Sequence, residues 1–140
     1  MVKRLSVLPG VRVFGEPAAS GHGHVGIVAF DAAQMPHGLL AAALGHEWGV
    51  GVRHGCFCAH PYLFRLLGLK EADLAKYRAR AAAGDHSDFP GLVRISFGLY
   101  NTAAEVDYVA GAIEHLLADG PRGCYSQVSA TGEYAPAEVI

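Results

Sequence analysis

The sequence predicts an α/β fold of the α+β kind: a small sheet of a few strands with helices packed on it. Three observations predict it. Short β-rich runs interleave with helical stretches along the chain, the arrangement that stacks helices on a sheet. The helical stretches carry recognisable starts and stops. With 140 residues, 51% of them hydrophobic, the chain is long enough for one domain with a real core.

The elements follow in order. Val2 to Leu8 reads as the last turn of a helix stopped by Pro9-Gly10, which hints at chain upstream. Val11 to Phe14 alternates and reads as a short strand ended by Gly15, and a Pro/Ser/Gly loop runs from Glu16 to Gly23. His24 to Phe30 is nearly continuous and β-rich, the pattern of a buried strand. Pro36, a favoured first-turn residue, opens a helix with the stripe Leu39, Leu40, Ala43, Leu44 and Glu47-Trp48, and Gly49 closes it. A strand-like run begins at Val50. Pro61 to Leu67 reads as a short apolar helix ending at Gly68, and Glu71 to Ala83 as an exposed, Ala-rich helix stopped by Gly84. Asp85 to Gly91 is a polar loop, and Leu92 to Phe97 is the next strand. Thr102 and Glu105 have capping-box spacing. Val106, Val109, Ala110, Ile113, Leu116 and Leu117 then share one helical face, closed by Asp119-Gly120-Pro121. A domain over residues 1–120 is expected, followed by an extended surface tail over 121–140.

Composition narrows the function. The formal net charge is −2, so no basic surface argues for nucleic acid or an anionic membrane. No apolar run approaches the roughly 20 residues of a membrane span, and Met1 to Ser6 is not followed by a secretory hydrophobic stretch. Three cysteines, two of them one residue apart, fit a reducing cytoplasm better than a disulfide framework.

Chemistry gathers in Val50 to Pro61, which holds Arg53, His54, Cys56, Cys58 and His60. In an extended strand the last four would share one face. Side chains two apart on a strand start about 6.5 Å from each other, too far to meet on a zinc ion at about 2.3 Å. No CxxC or HxxxH adds support, so no metal site is assigned. Cys58 lies near Arg53, His54 and His60 and just before the helix opened by Pro61, surroundings that favour a thiolate; the alternative is that Cys56 and Cys58 are small packed residues. Arg94 interrupts Val93, Ile95 and Phe97, where a charge is costly unless paired. Arginine grips a carboxylate through two parallel hydrogen bonds; the alternative is a strand arginine reaching solvent. Cys124 reads as a small packed residue, Ser20 to His24 as a flexible loop, and His37 and His115 as helix-face residues.

Val52 to Pro61, followed by Val93 to Thr102 and Glu105-Val106-Asp107, resembles the C-terminal small domain of class V pyridoxal-phosphate enzymes, the cysteine desulfurase and aminotransferase group within the fold-type I transferases. Gly55-Cys56-Phe57-Cys58 also looks like molybdenum cofactor sulfurases. The likeness runs from about Leu5 to Leu117. It implies that Cys58 stands where desulfurases carry the sulfur-accepting thiol. By the same likeness Arg94 stands where they bind the substrate carboxylate, and Arg53 at the arginine of the loop motif, holding substrate or loop. It also implies an amino-acid substrate, a large domain that holds pyridoxal 5'-phosphate, and a homodimer when complete. The Ser-x-His-Lys setting of the cofactor lysine is missing: Lys3, Lys70 and Lys76 lie in no such motif, and Ser20-Gly21-His22-Gly23 ends in glycine. No cofactor is therefore expected on this chain alone. Two functions remain open: the small domain of such an enzyme, or a stand-alone sulfur-carrier or binding module derived from it.

Overall fold

The computed structural model describes residues 1–15 and 26–137. Eleven elements are described: α1 (Val2–Leu5), β1 (Val11–Phe14), β2 (Ile27–Ala32), α2 (His37–Trp48), β3 (Arg53–Gly55), α3 (His60–Leu66), α4 (Glu71–Ala82), β4 (Leu92–Ser96), α5 (Ala103–Asp119), β5 (Tyr125–Gln127) and β6 (Tyr134–Pro136). The first four strands form one sheet in the order β1-β2-β4-β3, every neighbouring pair antiparallel, and β5 and β6 form a separate hairpin. This is the α+β arrangement that the sequence predicts.

Strand alternation divides the sheet into two unlike faces. Val28, Phe30, Ala32, Val93 and Ile95 point to one side, where they are buried against Leu40, Ala43 and Leu44 of α2 and Ala112, Ile113 and Leu116 of α5. Ile27, Ala29, Arg94, Ser96 and Arg53 point to the other side, which no described helix covers. β2 is therefore half-covered rather than buried on both faces: Phe30 is fully buried while Ile27 is 46% exposed. His24, Val25 and the Glu16 to Gly23 loop lie outside the described residues.

Local chemistry sets the helix ends. Gly49 adopts the left-handed conformation that stops α2. At the start of α5 the Glu105 amide donates to the Thr102 hydroxyl (3.3 Å) and the Thr102 amide donates to the Glu105 carboxylate (2.6 Å). α4 buries none of its residues, as its charged, Ala-rich sequence predicts.

The segment after α5 folds into the hairpin. β5 and β6 pair from Tyr125↔Pro136 to Gln127↔Tyr134, and the hairpin is tied down at both ends. The Glu47 carboxylate accepts from the Arg122 and Gly123 amides (3.0 Å each) and from the Tyr125 hydroxyl (3.1 Å). At the turn, the His86 amide donates to the Ser129 carbonyl (2.7 Å). Gly132 has φ +75 and lies so close to the His86 carbonyl that a Cβ would collide with it.

Candidate functional site

Antiparallel register brings Arg53 and Arg94 directly opposite each other on β3 and β4. Directly opposed residues share a face, so both side chains leave the sheet on its open side, next to Ala29. Like charges placed this way destabilise a bare sheet. No acidic side chain pairs with either guanidinium among the described residues. Arg94 is partly buried, and its Nε is closed off from solvent without a hydrogen-bond partner. Two adjacent cations thus stand without an acidic partner among the described residues.

The loop after β3 leads to the thiols. The strand stops at Gly55, and Phe57 and Cys58 both take left-handed backbone (φ 52 and 59). His54, Cys56, Cys58 and His60 therefore do not continue one strand face. Each left-handed non-glycine residue costs on the order of 1–2 kcal/mol, so the turn is held by its surroundings. The Ala59 amide donates to the Cys56 carbonyl (2.9 Å), and the Cys56 thiol donates to the Pro90 carbonyl (3.1 Å). The Arg94 guanidinium lies over the Phe57 ring, 5.0 Å from its centroid. The two thiols end in different settings: Cys56 is half-buried, and that burial pushes its pKa up, whereas Cys58 is exposed.

Cys58 also lines a cleft of about 670 Å³ between the start of α2, the Asp85 to Gly91 loop and the β5–β6 hairpin. Its wall holds a chain of titratable groups. His37 Nε2 donates to the Phe89 carbonyl (2.8 Å), the His37 and His54 Nδ1 atoms are 3.2 Å apart, and His54 Nε2 is 2.9 Å from a Glu133 carboxylate oxygen. Burial lowers the pKa of His37. A carbonyl only accepts, so a neutral His37 carries its proton on Nε2 and accepts at Nδ1 from His54. Gly91 makes room for this, since a Cβ there would meet the His37 ring at 2.6 Å.

The three predicted residues are thus only partly gathered. Arg53 and Arg94 sit together on the open sheet face, and Arg94 lies over Phe57, the neighbour of Cys58, but neither arginine lines the cleft that Cys58 borders. His37, taken from sequence as a helix-face residue, instead joins the cleft network, and Glu133 joins it from the tail. Their partners are 17 to 79 residues away, so no local pattern marks them. His115 is the helix-face residue expected, bonded to Asp119 one turn on (3.0 Å). For pyridoxal phosphate the fit within this chain is poor: Lys3, Lys70 and Lys76 are all exposed and none lines the cleft.

An antiparallel sheet thus carries helices on one face, two outward arginines on the other and a cysteine turn beside them. The chain belongs to the aminotransferase class-V family, whose model matches residues 1–109. It is 32% identical over 105 residues to a molybdenum cofactor sulfurase from Anopheles gambiae. That match covers 71% of this chain but 13% of the mosquito protein, so the chain spans a small part of its relative's length.

Proposed function

We propose that residues 1–120 are the C-terminal small domain of a pyridoxal-phosphate-dependent class V enzyme, with residues 121–140 as its extension. In this reading Arg94 takes the carboxylate of an amino-acid substrate, Arg53 adds a second cation beside it, and Cys58 supplies a thiol at the site's rim. The observation that carries it is the pair Arg53 and Arg94, opposed on the open sheet face with no acidic partner among the described residues. The cofactor, which provides the electron sink of such enzymes, would be held by a large domain outside this chain, since no lysine here is placed to bind it. The same reading includes a homodimeric complete enzyme in the cytoplasm.

The sulfur branch of the family is favoured over aminotransfer. Cys58 is exposed at the end of a strained turn, and the mosquito relative is a sulfurase by name. The exposed Cys58 thiol is also what the second reading, a stand-alone sulfur carrier, would use.

In the enzyme completed by its large domain, Arg94→Lys is expected to raise KM for the amino acid about ten-fold or more, because a point charge replaces a fork and a charged hydrogen bond contributes about 1.5–3 kcal/mol. A KM within two-fold of the parent would remove Arg94 from the substrate site. Cys58→Ser is expected to abolish sulfide release from cysteine while cofactor binding is kept; undiminished release would reject its role. A 140-residue chain that takes up and passes on persulfide sulfur by itself would establish the carrier instead.

A further inference from the structure

We propose that Phe57 is the positioning residue of the anion site: its ring holds the plane of the Arg94 guanidinium so that the terminal nitrogens face outward as a ready fork. This rests on the reading of Arg94 as the carboxylate-binding group and adds the part that aims it.

A strand arginine on an uncovered face has a long, freely rotating stem, and here no hydrogen bond or ion pair among the described residues fixes its head. The contact that does reach the head is aromatic. The guanidinium carbon stands 5.0 Å from the Phe57 ring centroid, within the distance at which a cation is drawn to an aromatic face. A guanidinium stacked on a ring uses its flat side and keeps its N–H donors pointing outward in their plane. Nε is buried and unpartnered, so a carboxylate approaching from the open face would meet the two terminal nitrogens end-on. The ring reaches this place because Phe57 is left-handed (φ 52), a conformation that a bulky residue rarely adopts. Both sides of the turn are tied, by the Cys56 thiol to the Pro90 carbonyl and by the Ala59 amide to the Cys56 carbonyl. The residue that aims the arginine is therefore the one next to the exposed thiol of Cys58.

The test uses the 140-residue chain, isotopically labelled and titrated with acetate, with acetamide as the uncharged control. Saturable shifts of the Arg94 guanidinium and of the amides of residues 53–58 are expected with acetate alone. Arg94→Ala should abolish the saturable shifts of those amides. Phe57→Leu should weaken acetate binding about two- to five-fold, and Phe57→Tyr, which keeps the ring, should bind as the parent does. Pentafluorophenylalanine at position 57 keeps the shape but reverses the ring's charge distribution; it should behave as Phe57→Leu and decides the matter if the leucine variant does not fold. Parent-like affinity in both the leucine and the fluorinated chains would overturn the role of Phe57 while leaving Arg94 as the anion group. Parent-like acetate shifts in Arg94→Ala would overturn the carboxylate reading itself, and the proposal with it.

Discussion

Two cysteines separated by one residue have been made chemically unequal by their backbone. Cys56 is turned inward, where its thiol meets the Pro90 carbonyl and burial raises its pKa. Cys58, past a left-handed residue, faces solvent. Alkylation rate follows thiolate content and access. Iodoacetamide at pH 8 is therefore expected to label Cys58 and the exposed Cys124 at least about ten-fold faster than Cys56, as read by peptide mass spectrometry. Equal rates at positions 56 and 58 would show that the turn does not hold its backbone in solution. This inequality was beyond the reach of the sequence, where both residues sit in one short motif. It arises from φ angles of +52 and +59 at non-glycine positions, which residue type does not announce.

At the scale of elements, a single carboxylate of α2 holds the entry to the hairpin formed by β5 and β6. Glu47 gathers two amides and a phenol from the segment entering β5. Burial opposes its ionisation, but these hydrogen bonds outweigh burial and leave its pKa below the ordinary 4.5. The Tyr125 hydroxyl, partly buried and donating to the same carboxylate, is pushed up to about 12. The sign follows from the depressed carboxylate: its contribution is complete above the ordinary value near 4.5 and is lost as the pH falls through the lower folded value. Protection of the Arg122 and Gly123 amides, taken relative to the intrinsic exchange rate at each pH, should thus fall as the pH drops below the ordinary 4.5 and stay flat between about pH 5 and 8. Glu47→Ala should cost about 1 kcal/mol and expose the segment after α5 to limited proteolysis at neutral pH. The helices were legible because their signals are local: Thr102 and Glu105 cap α5 from within one turn, and Gly49 ends α2 by its own φ. The hairpin was not, since three-residue strands carry no readable period and Glu47 lies 75 residues or more from the groups it binds. Arg94 fell between these cases. Its odd placement among apolar residues was visible, but only strand register shows that Arg53 stands opposite it.

At the scale of the molecule, the packing of the described residues is one-sided. Phe30, Leu40, Leu44, Ile113 and Leu116 are all fully buried on the helix side of the sheet. Phe30→Ala should cost about 3–5 kcal/mol, a large share of the roughly 5–15 kcal/mol that holds a domain together. Ile27→Thr, on the opposite face of the same strand and 46% exposed, should stay within about 0.5 kcal/mol. Urea denaturation of the two variants checks the contrast, and a loss above about 2 kcal/mol for Ile27→Thr would mean that the open face is not open in solution.

That asymmetry has a consequence for how such a chain can change over generations. A sheet packed on both sides ties every strand position to folding, so altering a recognition surface risks the fold. Here Ala29, Ser96 and Ile27, the neighbours of Arg94 and Arg53 on the uncovered face, can vary at little thermodynamic risk while Val28, Phe30, Val93 and Ile95 behind them stay fixed. One strand thus carries two independent mutational ledgers at alternating positions. Change at the outward positions can be selected without first requiring a stabilising change in the core.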